Sequence, residues 1–358
     1  MGEIEEEQKQ RIQWPDTVKY VCIILVMLCH LEANTDIWGA FYSPFFLSAF
    51  FVVSGYVYEH KASFLKVLCK KIRQLLIPWL VFSVLNILLA QVLSFNKHES
   101  LLTELKWNFL QIRGRGDEIW FVAALFVAFI PFYFFIKWYE GYAVKTHKSN
   151  THIVAILFAW ILSLISVIYT KMMPAGALPW SSTSLPWHIE YVFQAMFYMV
   201  LGYIFRQQYE GEFDKYNTFL TRITVWAIYL LLVYIPYFTN AKLPFIAKTV
   251  YDYISSITGI TALVMTTKVV KSNRYVKYVG QNTLIYFALH GKLYSLVQTM
   301  LRRYVGGVYN AILDNVVISS VFALAFALVL SFLLIIPAYV TNRWFPWLLG
   351  RTYRLRKP

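Results

Sequence analysis

The sequence predicts an all-α integral membrane protein, a single bundle of about ten transmembrane helices with both termini in the cytoplasm. Of its 358 residues, 58% are hydrophobic and 18% are aromatic, whereas only 15% are charged, and the mean hydropathy is +0.51. A soluble domain of this length has too little interior to bury so many aromatic side chains. Apolar stretches of about 20 residues, the length that a helix needs to cross a bilayer, recur along almost the whole chain.

Ten apolar stretches are predicted to span the membrane. In chain order they cover residues 17–35, 41–57, 73–94, 119–137, 152–170, 188–206, 219–238, 249–269, 283–301 and 315–342. No low-complexity linker separates them, so we expect one membrane domain over residues 16–342. A short acidic tail over residues 1–15 and a basic tail over residues 343–358 are both expected in the cytoplasm.

The net charge of +14 is explained by topology rather than by nucleic-acid binding. With the N-terminus in the cytoplasm, most of the 33 basic residues fall in inner tails and loops, as the positive-inside rule describes. We therefore expect contacts with membrane lipids and no nucleic-acid partner. The pattern gives no indication of the oligomeric state.

The first predicted helix carries three ionisable residues on one face. Lys19 and His30 are eleven residues apart, which on a helix is roughly 16 Å along the axis and about 20° around it, and Asp16 lies one turn before Lys19. Ionisable side chains at membrane depth are costly and indicate function by default. A neutral histidine accepts a proton from a hydroxyl, so His30 is the first candidate for catalysis. The alternative is a histidine hydrogen-bonded within the bundle, and the adjacent Cys29 is interpreted as packing.

A basic stripe follows the second predicted span. Lys66, Lys70 and Arg73 fall at positions i, i+4 and i+7, which form one face if the segment is helical. Such a stripe suits the phosphates of a nucleotide-like cofactor, and its alternative role is to pair with lipid headgroups. The chain has neither a CxxC nor an HExxH motif, so no metal site is expected.

Two further stretches contain candidate site residues. A Gly-Gln-Asn turn over residues 280–282 precedes a helix that Asn282 or the next residue caps, with Tyr286 and His290 one turn apart on it. A second intramembrane histidine suggests a role beside His30. Ser54, followed by glycine, favours close helix contact, for which a structural role is the main interpretation.

Two outer connections, residues 94–118 and 171–187, are long enough to contribute to a site. The second is rich in proline and tryptophan, and aromatic faces suit sugar rings, although an interfacial aromatic belt is the alternative. Glu118, Glu190 and Asp252 lie at predicted helix starts, and each is a candidate to orient a histidine.

Six elements resemble, in order, the pattern of the membrane acyltransferase-3 family, especially its branch of fucose 4-O-acetylase-like and polysaccharide O-acetyltransferases. Each element is short, but together they run in register from residue 16 to residue 290. By this resemblance Trp120 joins the candidate residues. The matching positions are Asp16, Lys19 and His30; Phe50–Tyr56; Lys70, Lys71 and Arg73 with Leu76–Pro78; Trp120, Phe121 and Leu125; Leu201–Tyr203; and Gly280–His290.

The resemblance implies a ten-helix enzyme of the bacterial plasma membrane that takes acetyl groups from cytosolic acetyl-CoA. It implies transfer to a hydroxyl of a lipid-linked or polymeric glycan of the capsule or exopolysaccharide type. His30 is then the catalytic histidine, and Lys19 stands where the family more often has arginine. Lys70 and Arg73 become the basic pair for CoA, with Lys70 again replacing arginine and lacking its two-pronged contact with phosphate.

Two other functions remain open from the residues alone. One is a transporter or flippase for a lipid-linked sugar, although the chain shows no Gly- or Pro-broken helices in two matching halves. The other is an acetyltransferase that acts on a small molecule or an amino group.

Overall fold

A computed structural model describes residues 12–60, 62–93, 100–116, 118–146, 150–173, 178–180 and 183–351. Within these ranges the chain is helical and contains no β-strand. Most of the predicted acidic tail and the end of the predicted basic tail lie outside the described residues, as do parts of both long connections.

Sixteen α-helices make up the described part of the chain. They are α1 (Trp14–Cys29), α2 (Asp36–Tyr42), α3 (Phe46–Tyr56), α4 (Phe64–Lys71), α5 (Ile77–Leu93), α6 (Leu101–Leu110), α7 (Trp120–Thr146), α8 (Thr151–Met172), α9 (Val192–Ile204), α10 (Glu210–Tyr216), α11 (Phe219–Thr239), α12 (Phe245–Val269), α13 (Arg274–Gln281), α14 (Thr283–Leu313), α15 (Val316–Leu333) and α16 (Ile335–Trp344). Short turns of other helix types are π-helical at Ile72–Leu76 and Phe205–Tyr209, and 3-10 at Pro186–Tyr191 and Pro346–Leu349.

Every predicted apolar stretch contains a helix, but fewer than ten qualify as membrane spans. Six stretches of the described residues are long and apolar enough to cross a bilayer: Asp36–Tyr56, Phe64–Val92, Trp120–Lys145, Thr151–Met172, Phe219–Thr239 and Val316–Trp344. The stretch predicted over residues 17–35 falls short because α1 has only 16 residues and ends at Cys29. The chain is therefore a multi-pass helical membrane protein, while the count of ten spans and the cytoplasmic termini stay predictions.

α1 lies at the centre of the bundle. It packs against α3, α12, α13, α14 and α15, and most of its side chains are buried. Pro15 lies in its first turn, where a backbone N–H would have no intrahelical partner, so that proline is tolerated there. The helix stops before the polar run from Asn34 to Asp36, where Asp36 begins α2. The first helix is thus a core element rather than a lipid-facing span.

Glycines bring α3 and α9 into backbone contact. A Cβ atom added to Gly55 would lie 1.8 Å from the carbonyl oxygen of Met199, and one added to Gly202 would lie 1.9 Å from that of Val52. Only a residue without a side chain fits at such a crossing. The close helix contact predicted from Ser54 and Gly55 is confirmed, and Ser54 itself is half-buried.

α14 is the longest helix, with 31 residues spanning roughly 46 Å. It packs against α1, α5 and α15, and its backbone departs from helical geometry at Val305. His290 lies on its buried first half, and Arg302 lies three turns later. This one helix therefore reaches the last turn of α1 and the chain that follows it.

Candidate functional site

His30 and His290 form a pair at the end of α1. Their ring centroids are 4.9 Å apart and their planes are nearly perpendicular, at 89°. His290 is buried, whereas His30 is exposed. Two histidines that are 260 positions apart in sequence therefore meet with one ring accessible and the other enclosed.

Backbone carbonyls hold both rings in the same tautomer. Nδ1 of His30 lies 3.0 Å from the carbonyl oxygen of Val26, and Nδ1 of His290 lies 2.8 Å from that of Phe287. A carbonyl only accepts, so each neutral ring carries its proton on Nδ1 and keeps a lone pair on Nε2. Nε2 of His290 has no hydrogen-bond partner among the described residues. The pair thus presents two unprotonated Nε2 atoms, of which that of His30 is open to a substrate.

The position of His30 differs from the expectation of a residue inside a spanning helix. It is the residue after the last one of α1, and its N–H bonds to the carbonyl of Met27. Cys29, interpreted as packing, has its Sγ 2.9 Å from Nδ1 of His30 and donates to the carbonyl of Val26. The thiol and the imidazole therefore share one acceptor, which fixes the ring further.

Glu32 connects the turn after His30 to α14 through hydrogen bonds. Its backbone N–H donates to the hydroxyl of Tyr294 at 2.7 Å, and its carboxylate accepts from Gln298 at 2.6 Å and from Arg302. These bonds join the segment that carries His30 to the helix that carries His290. Glu32 was not among the residues predicted to form the site, although its place two residues after the candidate histidine was a signal.

Replacing Glu32 with glutamine is expected to lower the melting temperature at neutral pH and to have less effect in acid. Burial alone would raise the pKa of this carboxyl, but hydrogen bonds from Arg302 and Gln298 outweigh it, and the pKa lies below its ordinary value of 4.5. A lowered pKa stabilises the folded protein above the ordinary value, and this contribution disappears as the pH falls through the folded value. Thermal unfolding of the wild type and Glu32→Gln across this range measures the difference. A difference that does not change with pH would contradict the assignment.

Asp16 and Lys19 lie near the opposite end of α1 from His30. Nζ of Lys19 is 2.7 Å from Oδ1 of Asp16, and Gln281 donates to Oδ2 of Asp16 at 3.3 Å. Gly280 packs directly on the backbone of Asp16, since an added Cβ would lie 2.0 Å from its carbonyl oxygen. The two residues therefore pair on α1 as their spacing indicates, and Asp16 joins α1 to α13 at the end of the helix opposite to His30.

The predicted basic stripe lies on exposed surface and is interrupted. Lys66 and Lys70 belong to α4, whereas Arg73 lies in the π-helical turn that follows. Arg73 donates to the carbonyl of Gly350 at 3.2 Å, and the adjacent Arg351 donates to the carbonyl of Gln281 at 2.9 Å. These contacts connect the stripe to the Asp16 end of the bundle, where phosphate oxygens would find guanidinium and ammonium donors.

Tyr286 and Asn282 lie on the way from the Asp16 end to His290. Tyr286 is fully buried one turn before His290, and its hydroxyl has no partner among the described residues. Asn282 occupies the predicted N-cap position of α14, and its carbonyl accepts from the N–H groups of Ile285 and Tyr286. Its side chain makes no capping hydrogen bond, because its amide donates to the carbonyl of Tyr278 in α13 and its oxygen accepts from Asn342 in α16 at 2.9 Å.

The three acidic candidates to orient a histidine have other partners than His30. Glu118 accepts from Lys292 at 2.6 Å, and Asp252 accepts from Lys248 at 2.5 Å. Oε1 of Glu190 lies 3.4 Å from Nδ1 of His188, a histidine that was not among the candidate residues. Within the described residues His30 is oriented by a carbonyl and not by a carboxylate.

Trp120 belongs to a separate cavity of about 720 Å³. Its ring lies 5.1 Å from that of His188 and 5.9 Å from that of Tyr191. The cavity lies between α2, α3, α7, α8, α9 and α12 and does not include His30. Among the described residues no group of three or more histidine, cysteine or acidic side chains is arranged to hold a metal ion.

Comparison with known proteins identifies the family. A family model described as an acyltransferase domain, Acyl_transf_3, matches residues 12–340. No curated protein and no solved structure matches the chain. The matched region contains both histidines of the pair, the helices α1 to α15 and the first part of α16. The chain therefore belongs to the acyltransferase-3 family and is a membrane acyltransferase.

Proposed function

We propose that this acyltransferase moves acetyl groups from acetyl-CoA to a hydroxyl of an exported or cell-surface glycan, of the capsule or exopolysaccharide type. The observation that carries the proposal is the pair of His30 and His290, with the Nε2 lone pair of His30 accessible. Oxygen acylation requires a base at the acceptor hydroxyl, and a neutral imidazole supplies one at physiological pH. We also propose that the protein belongs to the polysaccharide O-acetyltransferase branch of the family and resides in a bacterial plasma membrane.

His30 performs proton transfer in this reaction. The acceptor hydroxyl gives its proton to Nε2 of His30 while its oxygen bonds to the acetyl carbonyl carbon. The carbon–sulfur bond then breaks, and the departing thiolate takes the proton back from Nε2. Because Nδ1 is bonded to the carbonyl of Val26, the ring keeps Nε2 directed at the substrate through both steps. The ring of His290, perpendicular to His30 at van der Waals distance, limits its rotation.

The donor is proposed to enter from the end of the bundle that carries Asp16. Lys66, Lys70 and Arg73 offer ammonium and guanidinium donors to the phosphates of CoA. Lys19 is roughly 16 Å from His30 along α1. The flexible thioester arm of CoA would extend along this helix, so the donor and the acceptor would approach from opposite ends.

Reconstituted vesicles with a known protein orientation test this function. Acetyl-CoA is supplied on the side of the Asp16 end and a glycan acceptor on the other, and thiol release is measured together with acetyl groups on the glycan. We expect free thiol and acetylated glycan in equal amounts, and only when the donor and the acceptor are supplied on these two sides. Movement of a lipid-linked sugar without consumption of acetyl-CoA would support a flippase and contradict the proposal. Acetylation of an added amine or of serine, without acetylation of glycans, would show that the acceptor is a small molecule or an amino group and not a glycan.

A further inference from the structure

A second histidine site lies in the cavity of about 720 Å³, away from the histidine pair. The rings of Phe287 and Phe121 are 5.8 Å apart and stand between His290 and the Trp120 side of this cavity. A volume of this size is within the range of ligand-binding clefts, about 300–1,000 Å³. The cavity is thus large enough for a ligand and separate from the proposed reacting atoms.

His188 is a buried and unsatisfied group at this cavity. Its exposed fraction is 1%, and neither ring nitrogen has a hydrogen-bond partner among the described residues. Glu190, at 3.4 Å from Nδ1, accepts from the hydroxyl of Ser184 and from the N–H of Leu185 and is held in place. The carboxylate favours the proton on Nδ1, so Nε2 is left as an acceptor for a donor that none of the described residues supplies.

The backbone around His188 is strained. Trp187 and His188 have φ angles of 60° and 54°, in the left-handed region that non-glycine residues rarely adopt. Such conformations carry a free-energy penalty and cluster at binding sites, where the surrounding structure imposes them. Here the strain directs His188 between Trp120 and Tyr191, whose rings are 5.1 and 6.3 Å away.

Cations line the same cavity without matching carboxylates. Nη1 of Arg113 donates to the hydroxyl of Tyr191 at 2.8 Å, and no carboxylate of the described residues is within ion-pair distance of Arg113 or Lys171. Lys248 and Asp252 pair with each other at 2.5 Å and largely cancel. With the Glu190 carboxylate beside His188 counted, the charge around the cavity is still positive, and Arg113 places part of it against the ring of Tyr191.

We propose that this cavity binds an acidic sugar unit of the acceptor glycan. One hydroxyl of the sugar donates to Nε2 of His188, the apolar face of the ring packs on Trp120 and Tyr191, and the carboxylate pairs with Arg113. A neutral sugar would leave Arg113 and Lys171 unused, and a purely ionic ligand would leave His188 unsatisfied. The assignment of the ligand as the acceptor rests on the proposed function, whereas the binding chemistry stands on the cavity alone.

Binding is measured with the full-length protein in lipid nanodiscs, in the absence of acetyl-CoA. The probes are a tetrasaccharide of glucuronate and N-acetylglucosamine and the same tetrasaccharide with its carboxyl groups reduced to alcohols. Arg113→Gln is expected to weaken binding of the acidic probe roughly tenfold and to leave the reduced probe unaffected. His188→Phe, which keeps a ring but removes the acceptor, is expected to weaken both. Arg115→Gln is the matched control, since the Arg115 guanidinium packs on Trp107 outside this cavity.

The outcomes separate this inference from the proposed function. Equal affinity for the two probes, or equal effects of Arg113→Gln and Arg115→Gln, would overturn the acidic-sugar assignment even if glycans are acetylated. Preference for the acidic probe in a protein that transfers no acetyl group would uphold the binding site and overturn the function. Because Arg113 is exposed, its replacement is compatible with folding, and the result does not depend on the buried His188 variant.

Discussion

Acyl transfer is expected to fall by about 10²–10⁴-fold when His30 is replaced with glutamine, because general-base catalysis contributes an effect of that size. Glutamine is comparable in length and polar but does not accept a proton at neutral pH. His30 is exposed at the end of α1, so the replacement removes little packing. The rate of thiol release from acetyl-CoA, measured at saturating donor and acceptor in the vesicle assay, checks this expectation.

His152→Gln is the matched control for that variant. His152 lies at the start of α8, packs edge-on against Tyr209 at 5.2 Å, and lines neither the histidine pair nor the cavity of His188. The control is expected to retain wild-type activity. If His30→Gln inserts in the membrane at the wild-type level and keeps its activity, His30 is not the base. If the amount of inserted protein falls as well, the rates of the variant and the wild type are compared at equal amounts of protein.

The histidine pair shows where sequence reasoning stops. His30 and His290 were each identifiable as rare ionisable groups on apolar segments, and their family motifs placed both in the candidate set. Their contact depends on the packing of α1 against α14, which no local spacing specifies. Their tautomers depend on the carbonyls of Val26 and Phe287. The positions of these carbonyls are set by the backbone conformation and not by the identity of the side chains.

Local spacing gave reliable results only within one helix. Asp16 and Lys19, three residues apart, form the ion pair that their shared face indicates. The stripe of Lys66, Lys70 and Arg73 was predicted on the same logic, but α4 ends at Lys71 and Arg73 lies in the π-helical turn that follows. A π-helical turn contains one more residue than an α-helical turn, and the spacing of the lysines and arginine does not indicate it. The extra residue rotates the side chains that come after the turn.

The site around His188 was missed for a different reason. An apolar helix was predicted to begin at residue 188, directly after the connection of residues 171–187, whereas the backbone takes left-handed angles at Trp187 and His188. Residues with a side chain seldom adopt that conformation, and two in succession are rarer still, so local propensity argues against it. The sequence signals for this site were Trp120, the tryptophan-rich connection of residues 171–187, and Glu190, which was noted as a possible partner for a histidine and lies two residues from the one that it contacts.

Gly55→Ala is expected to lower the stability of the folded protein by about 1–3 kcal/mol or more, the usual range for an overpacked core. The new methyl group would lie 1.8 Å from the backbone oxygen of Met199, and a backbone atom moves only if the whole of α9 moves. The gain in helix propensity, about 1 kcal/mol from glycine to alanine, offsets only part of this. Loss of monodisperse protein after heating in detergent, followed by size-exclusion chromatography, gives the melting temperature.

Gly202→Ala and the double variant distinguish a shared crossing from two separate defects. Gly202 meets the backbone of Val52 on the same α3–α9 contact, so a similar single effect is expected. Once one methyl group has separated the helices, the second costs less, and the double variant is expected to lose less than the sum of the two. Gly141→Ala on α7, with no atom within 4 Å of the added carbon, is the control and is expected to be neutral or stabilising. Equal melting temperatures for Gly55→Ala and Gly141→Ala would show that α3 and α9 are not held in backbone contact.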